Sequence, residues 1–108
     1  MHGTPLKKLT EITREFFWNL KKTVHHMHER GVAHGDLHRR NILADGDDVA
    51  IVDFATARID QRPRKGILFR WWCQLDEHWL YKIEQYYFGT GVEPKMFWLY
   101  RLVKIRKH

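Results

Sequence analysis

Residues 34–54 constrain this chain more than any other stretch. They read His34-Gly35-Asp36-Leu37-His38-Arg39-Arg40-Asn41-Ile42-Leu43, then the polar turn Asp45-Gly46-Asp47-Asp48, then Val49-Ala50-Ile51-Val52-Asp53-Phe54. Two apolar runs around an Asp-Gly turn predict a β-hairpin over 42–54. Asp36 and Asn41 stand five residues apart, so one tight loop over 34–43 can aim both side chains into one cleft. Asp53 follows Asn41 by twelve residues, the length of a strand, a turn and a returning strand. The spacing therefore predicts that an acid, an amide and a second acid meet in one place.

That set suits metal-assisted phosphoryl transfer. One acid, Asp36, takes or orients the proton of an attacking hydroxyl. Asn41 and Asp53 offer hard oxygen ligands to a Mg²⁺ (or Mn²⁺) ion bridging the phosphates.

The order H-x-D-x-x-x-x-N, followed by an apolar strand ending in D-F, resembles the catalytic loop and metal-binding segment of the protein-kinase-like superfamily. Three positions depart from typical eukaryotic protein kinases. Gly35 stands where those carry Arg, His38 where their Ser/Thr branch carries Lys, and Ala55 where the D-F-G glycine would be. The H-G-D-L-H and I-V-D-F-A-T-A forms are more similar to lipopolysaccharide (Kdo/InaA-type) kinases, RIO-like serine/threonine kinases and, more distantly, aminoglycoside phosphotransferases.

The resemblance implies an α+β, mainly helical, kinase-like C-terminal lobe with a short hairpin, spanning 1–108. It makes Asp36, Asn41, Asp53 and His34 the catalytic set, with His34 bracing the loop. It assigns Asn41 and Asp53 to the metal, and places Leu43 under the adenine of ATP. The acceptor it implies is a hydroxyl, on a protein Ser/Thr, a sugar or a lipopolysaccharide sugar. Such enzymes also hold the phosphates from an N-terminal lobe, with a glycine-rich loop and a strand lysine. Neither occurs here, so the expectation is a C-terminal lobe alone, completed by a missing lobe or a partner chain.

The flanking sequence reads as helix. Apolar residues at Leu6, Leu9, Ile12, Phe16, Leu20, Val24 and Met27 recur in steps of three and four, predicting a helix over 5–30. Thr4 would be its N-cap, Pro5 its first residue and Gly31 its C′ position. Val32-Ala33 then reads as a short strand. Residues 58–66 form a basic, proline-containing loop, either a phosphate- or acid-binding patch or simply solvated. Helical spacing returns over 67–88, closed by Gly89, and again over 95–107. Asp76, inside the apolar pattern of the first of these helices, is the analogue the resemblance implies of an aspartate that binds catalytic-loop amides.

Composition narrows the remaining classes. The 108 residues are 44% hydrophobic, enough for a core, and no run is long enough to span a membrane. One cysteine, Cys73, and no signal-like start fit a reducing, cytoplasmic setting, with the inner membrane surface also open. His25, His26 and His28 share a helix but lack companions for a zinc site, and the Asp45–Asp48 turn lacks the further ligands of a calcium loop. A net charge of +6 attracts anions, whether nucleotide phosphates, anionic headgroups or RNA. Two alternatives stand beside the enzyme. One is a catalytically incomplete, partner-binding pseudokinase-like module. The other is a basic RNA-binding domain, which is less favoured because the aromatics fall at core spacing.

Overall fold

The structure, a computed structural model, describes residues 3–91; the helix expected over 95–107 lies outside them. It is a small α+β assembly of two long helices and two short antiparallel sheets. β1 (Thr4–Pro5), β3 (Ile42–Asp45) and β4 (Asp48–Ile51) form one sheet in the order β1-β3-β4. β2 (Val32–Ala33) pairs with β5 (Arg58–Ile59) to form the other.

The first helix, α1, runs Arg14–Glu29 rather than from Pro5. The N-cap is Thr13, whose Oγ1 accepts from the Phe16 amide at 2.9 Å. Upstream, Thr4 and Pro5 pair with Ala44 and Leu43 of β3, and Leu6–Lys8 make one 3₁₀ turn. Leu6, Leu9 and Ile12 still reach the core, which is why their spacing mimicked a helix. What holds them out of a helix is Tyr87, whose hydroxyl lies 2.8 Å from the Leu6 carbonyl and 3.1 Å from that of Leu9. Propensity yielded to tertiary contact there.

α1 buries Phe16, Phe17, Leu20 and Val24 against Leu80 and Ile83 of α2, which runs Ile67–Phe88. Each such side chain contributes roughly 1.5–3 kcal/mol by leaving water. The helix ends at Arg30, and Gly31 turns the chain with φ 82°. A Cβ there would lie 2.3 Å from the Asp60 carbonyl, so the β2–β5 approach requires glycine.

The hairpin has the expected place. β3 and β4 pair in register from Ile42↔Ile51 to Asp45↔Asp48, leaving Gly46-Asp47 as a two-residue turn. That turn is fastened to α1, because Thr13 Oγ1 donates to Asp47 Oδ1 and Asn19 Nδ2 to the Asp47 carbonyl. Ala44, Val49 and Ile51 face the core. Leu43 and Ala50 are cross-strand partners on the alternate face.

Candidate active site

Between β2 and β3 the chain makes the loop 34–41, and its geometry is set by one buried carboxylate. Asp76 is fully buried on α2. Its Oδ2 accepts from the His34 amide at 2.9 Å and its Oδ1 from the Gly35 amide at 2.7 Å. His28 Nε2, on α1, sits 2.7 Å from the same Oδ2. A buried acid is tolerated only when its lone pairs are met, and here they are met by α1 and the loop at once. The amide-binding aspartate implied by the resemblance is thus present.

His34 is also fully buried. Its Nδ1 accepts from the Asp36 amide at 3.1 Å, so the ring hydrogen sits on Nε2 and donates to the Val52 carbonyl at 2.9 Å. One imidazole therefore ties the amide of the first acid to the residue preceding the second. Gly35 completes the turn with φ 86°, and a Cβ there would fall 2.2 Å from Trp72 Nε1. The arginine that typical kinases carry at this position has no room. Trp72 Nε1 is instead spent on the Thr56 carbonyl at 2.8 Å, while Thr56 Oγ1 donates to the His34 carbonyl.

Asn41 makes the other link. Its Nδ2 donates to the Asp36 carbonyl at 2.9 Å, and its own carbonyl accepts from the Val52 amide at 2.9 Å. The Asp36 carbonyl and the Ile51–Val52 peptide are thereby fixed to either side of one residue. Among the described residues no hydrogen-bond donor meets Asn41 Oδ1. Asp53 is exposed and sits in the left-handed region, φ 62° and ψ 71°, where it is the one non-glycine residue among those described. That conformation costs about 1–3 kcal/mol and persists only where the surroundings impose it.

Two oxygen donors, one amide and one carboxylate, fit Mg²⁺, which takes few protein ligands and fills the rest with phosphates and water. Among the described residues no cluster of three or more His, Cys, Asp or Glu forms a cage of its own. When bound, such an ion neutralises charge on the phosphates.

Other expectations meet mixed outcomes. Phe54, expected at the end of the hairpin, is 44% exposed and stands against the His34 ring, 4.9 Å between ring centres. The reason is that β4 ends at Ile51, so Phe54 belongs to a 3₁₀ turn outside the hairpin. In the basic loop, Arg62 and Lys65 are engaged rather than free. Arg62 grips Asp60 through Nε at 2.9 Å and Nη2 at 2.6 Å, and Lys65 Nζ reaches the Asp60 carbonyl at 2.6 Å. Arg62 and the Gly66 amide hold the Asp60 carboxyl well below the usual range. The Asp60-Gln61-Arg62 turn was a signal that the chain's charge count obscured. His25 and His28 pair with Glu77 and Asp76, as hydrogen-bonded histidines rather than metal ligands. Burial, with Asp76 and Glu77 nearby, pushes the Cys73 thiol up to about 12, so it is inert as a nucleophile at neutral pH.

His38 stands two residues beyond Asp36 in the loop. Its Nε2 is 3.3 Å from Asp36 Oδ2 and 3.2 Å from Arg40 Nη2, and its ring stands edge-on to Trp79.

A sequence model of the phosphotransferase enzyme family matches residues 2–96. The chain is also similar to NUAK family SNF1-like kinase 1 of mouse and of human, 38% identical to each over 53 residues. Those 53 residues are 48% of this chain but 8% of either relative, so the likeness concerns one segment of a much longer protein. The whole loop-and-hairpin unit falls within the family match, and the chain accordingly belongs to the phosphotransferase enzyme family, within the protein-kinase-like superfamily.

Proposed function

We propose that this chain carries the acceptor and metal side of an ATP-dependent phosphotransferase site, in the manner of a kinase C-terminal lobe. The observation that supports it most is Asn41, whose side chain and backbone bond to Asp36 and Val52 at once. In this reading Asp36 orients the acceptor hydroxyl and receives its proton. Asn41 Oδ1 and Asp53 hold Mg²⁺, or Mn²⁺ in its place. Leu43, on the face of β3 turned from the core, lies under the adenine. His34 and Asp76 are positioning residues that keep the loop in register. The acceptor is a hydroxyl of a protein serine or threonine or of a sugar, the lipopolysaccharide type included.

The phosphate clamp comes from outside these 108 residues, either a second lobe or a partner chain, because the sequence holds no glycine-rich loop. Without it the nucleotide meets the site from one side, in water, where each charge contact is weak. Val52 and Phe54 stand exposed beside Asp53, and that apolar surface also suits the second reading, a partner-binding module without turnover.

The test is a nuclear magnetic resonance titration of the chain with Mg-ATP. Shifts are expected at Asn41, Leu43 and Asp53, lost in Asp53→Asn, with ADP release no faster than in that variant. Asparagine is the right replacement because it tolerates the left-handed backbone, whereas alanine would add strain. Shifts confined to other residues, or equal shifts in the variant, would refute the assignment.

A further inference from the structure

We propose that the pocket beside Asp36 is the acceptor subsite and that it selects acceptors bearing an anionic group, a phosphate or carboxylate, close to the hydroxyl. The pocket is an open depression of about 780 Å³ between the loop and α2, within the size range of small-molecule sites. Among the described residues four cations line it, Lys7, Arg39, Arg40 and Lys82, and no carboxylate does. Its apolar wall is Trp79, Ile83 and Tyr86.

Three features make this more than a solvated basic face. Among the described residues, none of the four cations lies within salt-bridge distance of an acid. Two are held by aromatic rings instead: the Arg39 guanidinium sits 4.0 Å over Tyr86, and Lys82 Nζ 5.6 Å from the Trp79 centroid. Rings position a cation without neutralising it, which leaves the charge available to a ligand. The pocket also adjoins the candidate base, because Nε2 of its wall residue His38 lies 3.2 Å from Arg40 Nη2 and 3.3 Å from Asp36 Oδ2. An anion gripped by Arg39 and Arg40 would hold a neighbouring hydroxyl on the Asp36 side of His38. Guanidinium forks favour planar or tetrahedral oxyanions, and the cationic wall repels aminated sugars.

The assignment to the acceptor rests on the phosphotransferase reading, but the binding test does not use nucleotide. The chain is titrated at low salt with glucose 6-phosphate, glucose and glucosamine, followed by amide shifts. Glucose 6-phosphate should perturb Arg39, Arg40 and Trp79 and weaken as salt rises. Glucose and glucosamine should bind at least about 10-fold more weakly, and Arg40→Ala should lose about 10-fold in affinity for the phosphate, with Arg40→Lys recovering part of it. Asp36 should shift with the sugar phosphate and stay still with inorganic phosphate alone. Equal binding of the three sugars, an unchanged Arg40→Ala, or displacement by a single-stranded oligonucleotide at equal phosphate concentration would overturn the proposal. If sugar phosphate binds as described while Mg-ATP leaves Asp53 unmoved, it is the transferase reading that fails, and the anion selectivity stands.

Discussion

Asp76 shows how one residue sets the geometry of several others. Its two oxygens receive two consecutive loop amides and an imidazole in a dry interior. Asp76→Ala leaves those donors unmet, and each buried unsatisfied group costs about 1–3 kcal/mol. We expect a loss of about 3–5 kcal/mol, the range for breaking a buried charged pair, seen as a lower urea midpoint. A loss below about 1 kcal/mol would mean that water replaces the carboxylate. At this scale the sequence was most legible. Asp76 was readable because an acid in an apolar helical stripe needs a reason, and its carboxylate does meet the loop amides. Asp60 and Trp72 were not. Their roles depend on partners 6 and 16 residues away along irregular backbone, where no periodicity guides the eye.

Elements were legible where period and punctuation agreed. α2 carries a long apolar stripe closed by Gly89, and it occupies the span the pattern gave, Ile67–Phe88. The start of α1 was misread because steps of three and four also fit a 3₁₀ turn followed by extended chain when all three leucine and isoleucine side chains face one core. Thr13, not Thr4, is the cap, and its hydroxyl works twice, accepting from Phe16 and donating to Asp47. Thr13→Ala should therefore cost about 1–2 kcal/mol, the upper part of the range for a cap. Thr13→Ser should restore most of it, and thermal melts of the pair would show this. Thr4→Ala should cost no more than about 0.5 kcal/mol, as an exposed substitution away from such contacts.

For the whole molecule, the acid limb of stability depends in part on the Asp60 hub joining β5 to α2. The folded carboxyl is depressed, chiefly by the Arg62 hydrogen bond and then by the Gly66 amide. A depressed carboxylate contributes its full stability above the unfolded value near pH 3.9 and loses it as pH falls below that. Melting temperature followed from pH 7 to pH 2 should fall below about pH 4. Asp60→Asn should be less stable at pH 7, fall less steeply, and converge with the wild type in acid. Because Arg62 is 68% exposed, salt should shrink the difference. Parallel curves would show that Asp60 does not titrate with folding.

The clamp on the loop has one more consequence, for how the protein is made. Asp76 follows Asn41 by 35 residues, so a growing chain holds Asp36, Asn41 and Asp53 before it holds the group that orders them. At about 5–20 residues per second, the ribosome adds Asp76 roughly 2–7 s after Asn41. Over that interval the nascent loop is untethered, with Leu37 and Ile42 lacking the α2 wall that later covers them. Released chains that end before residue 76 lack that clamp, and protease should cut them within 34–41 far faster than it cuts the full chain.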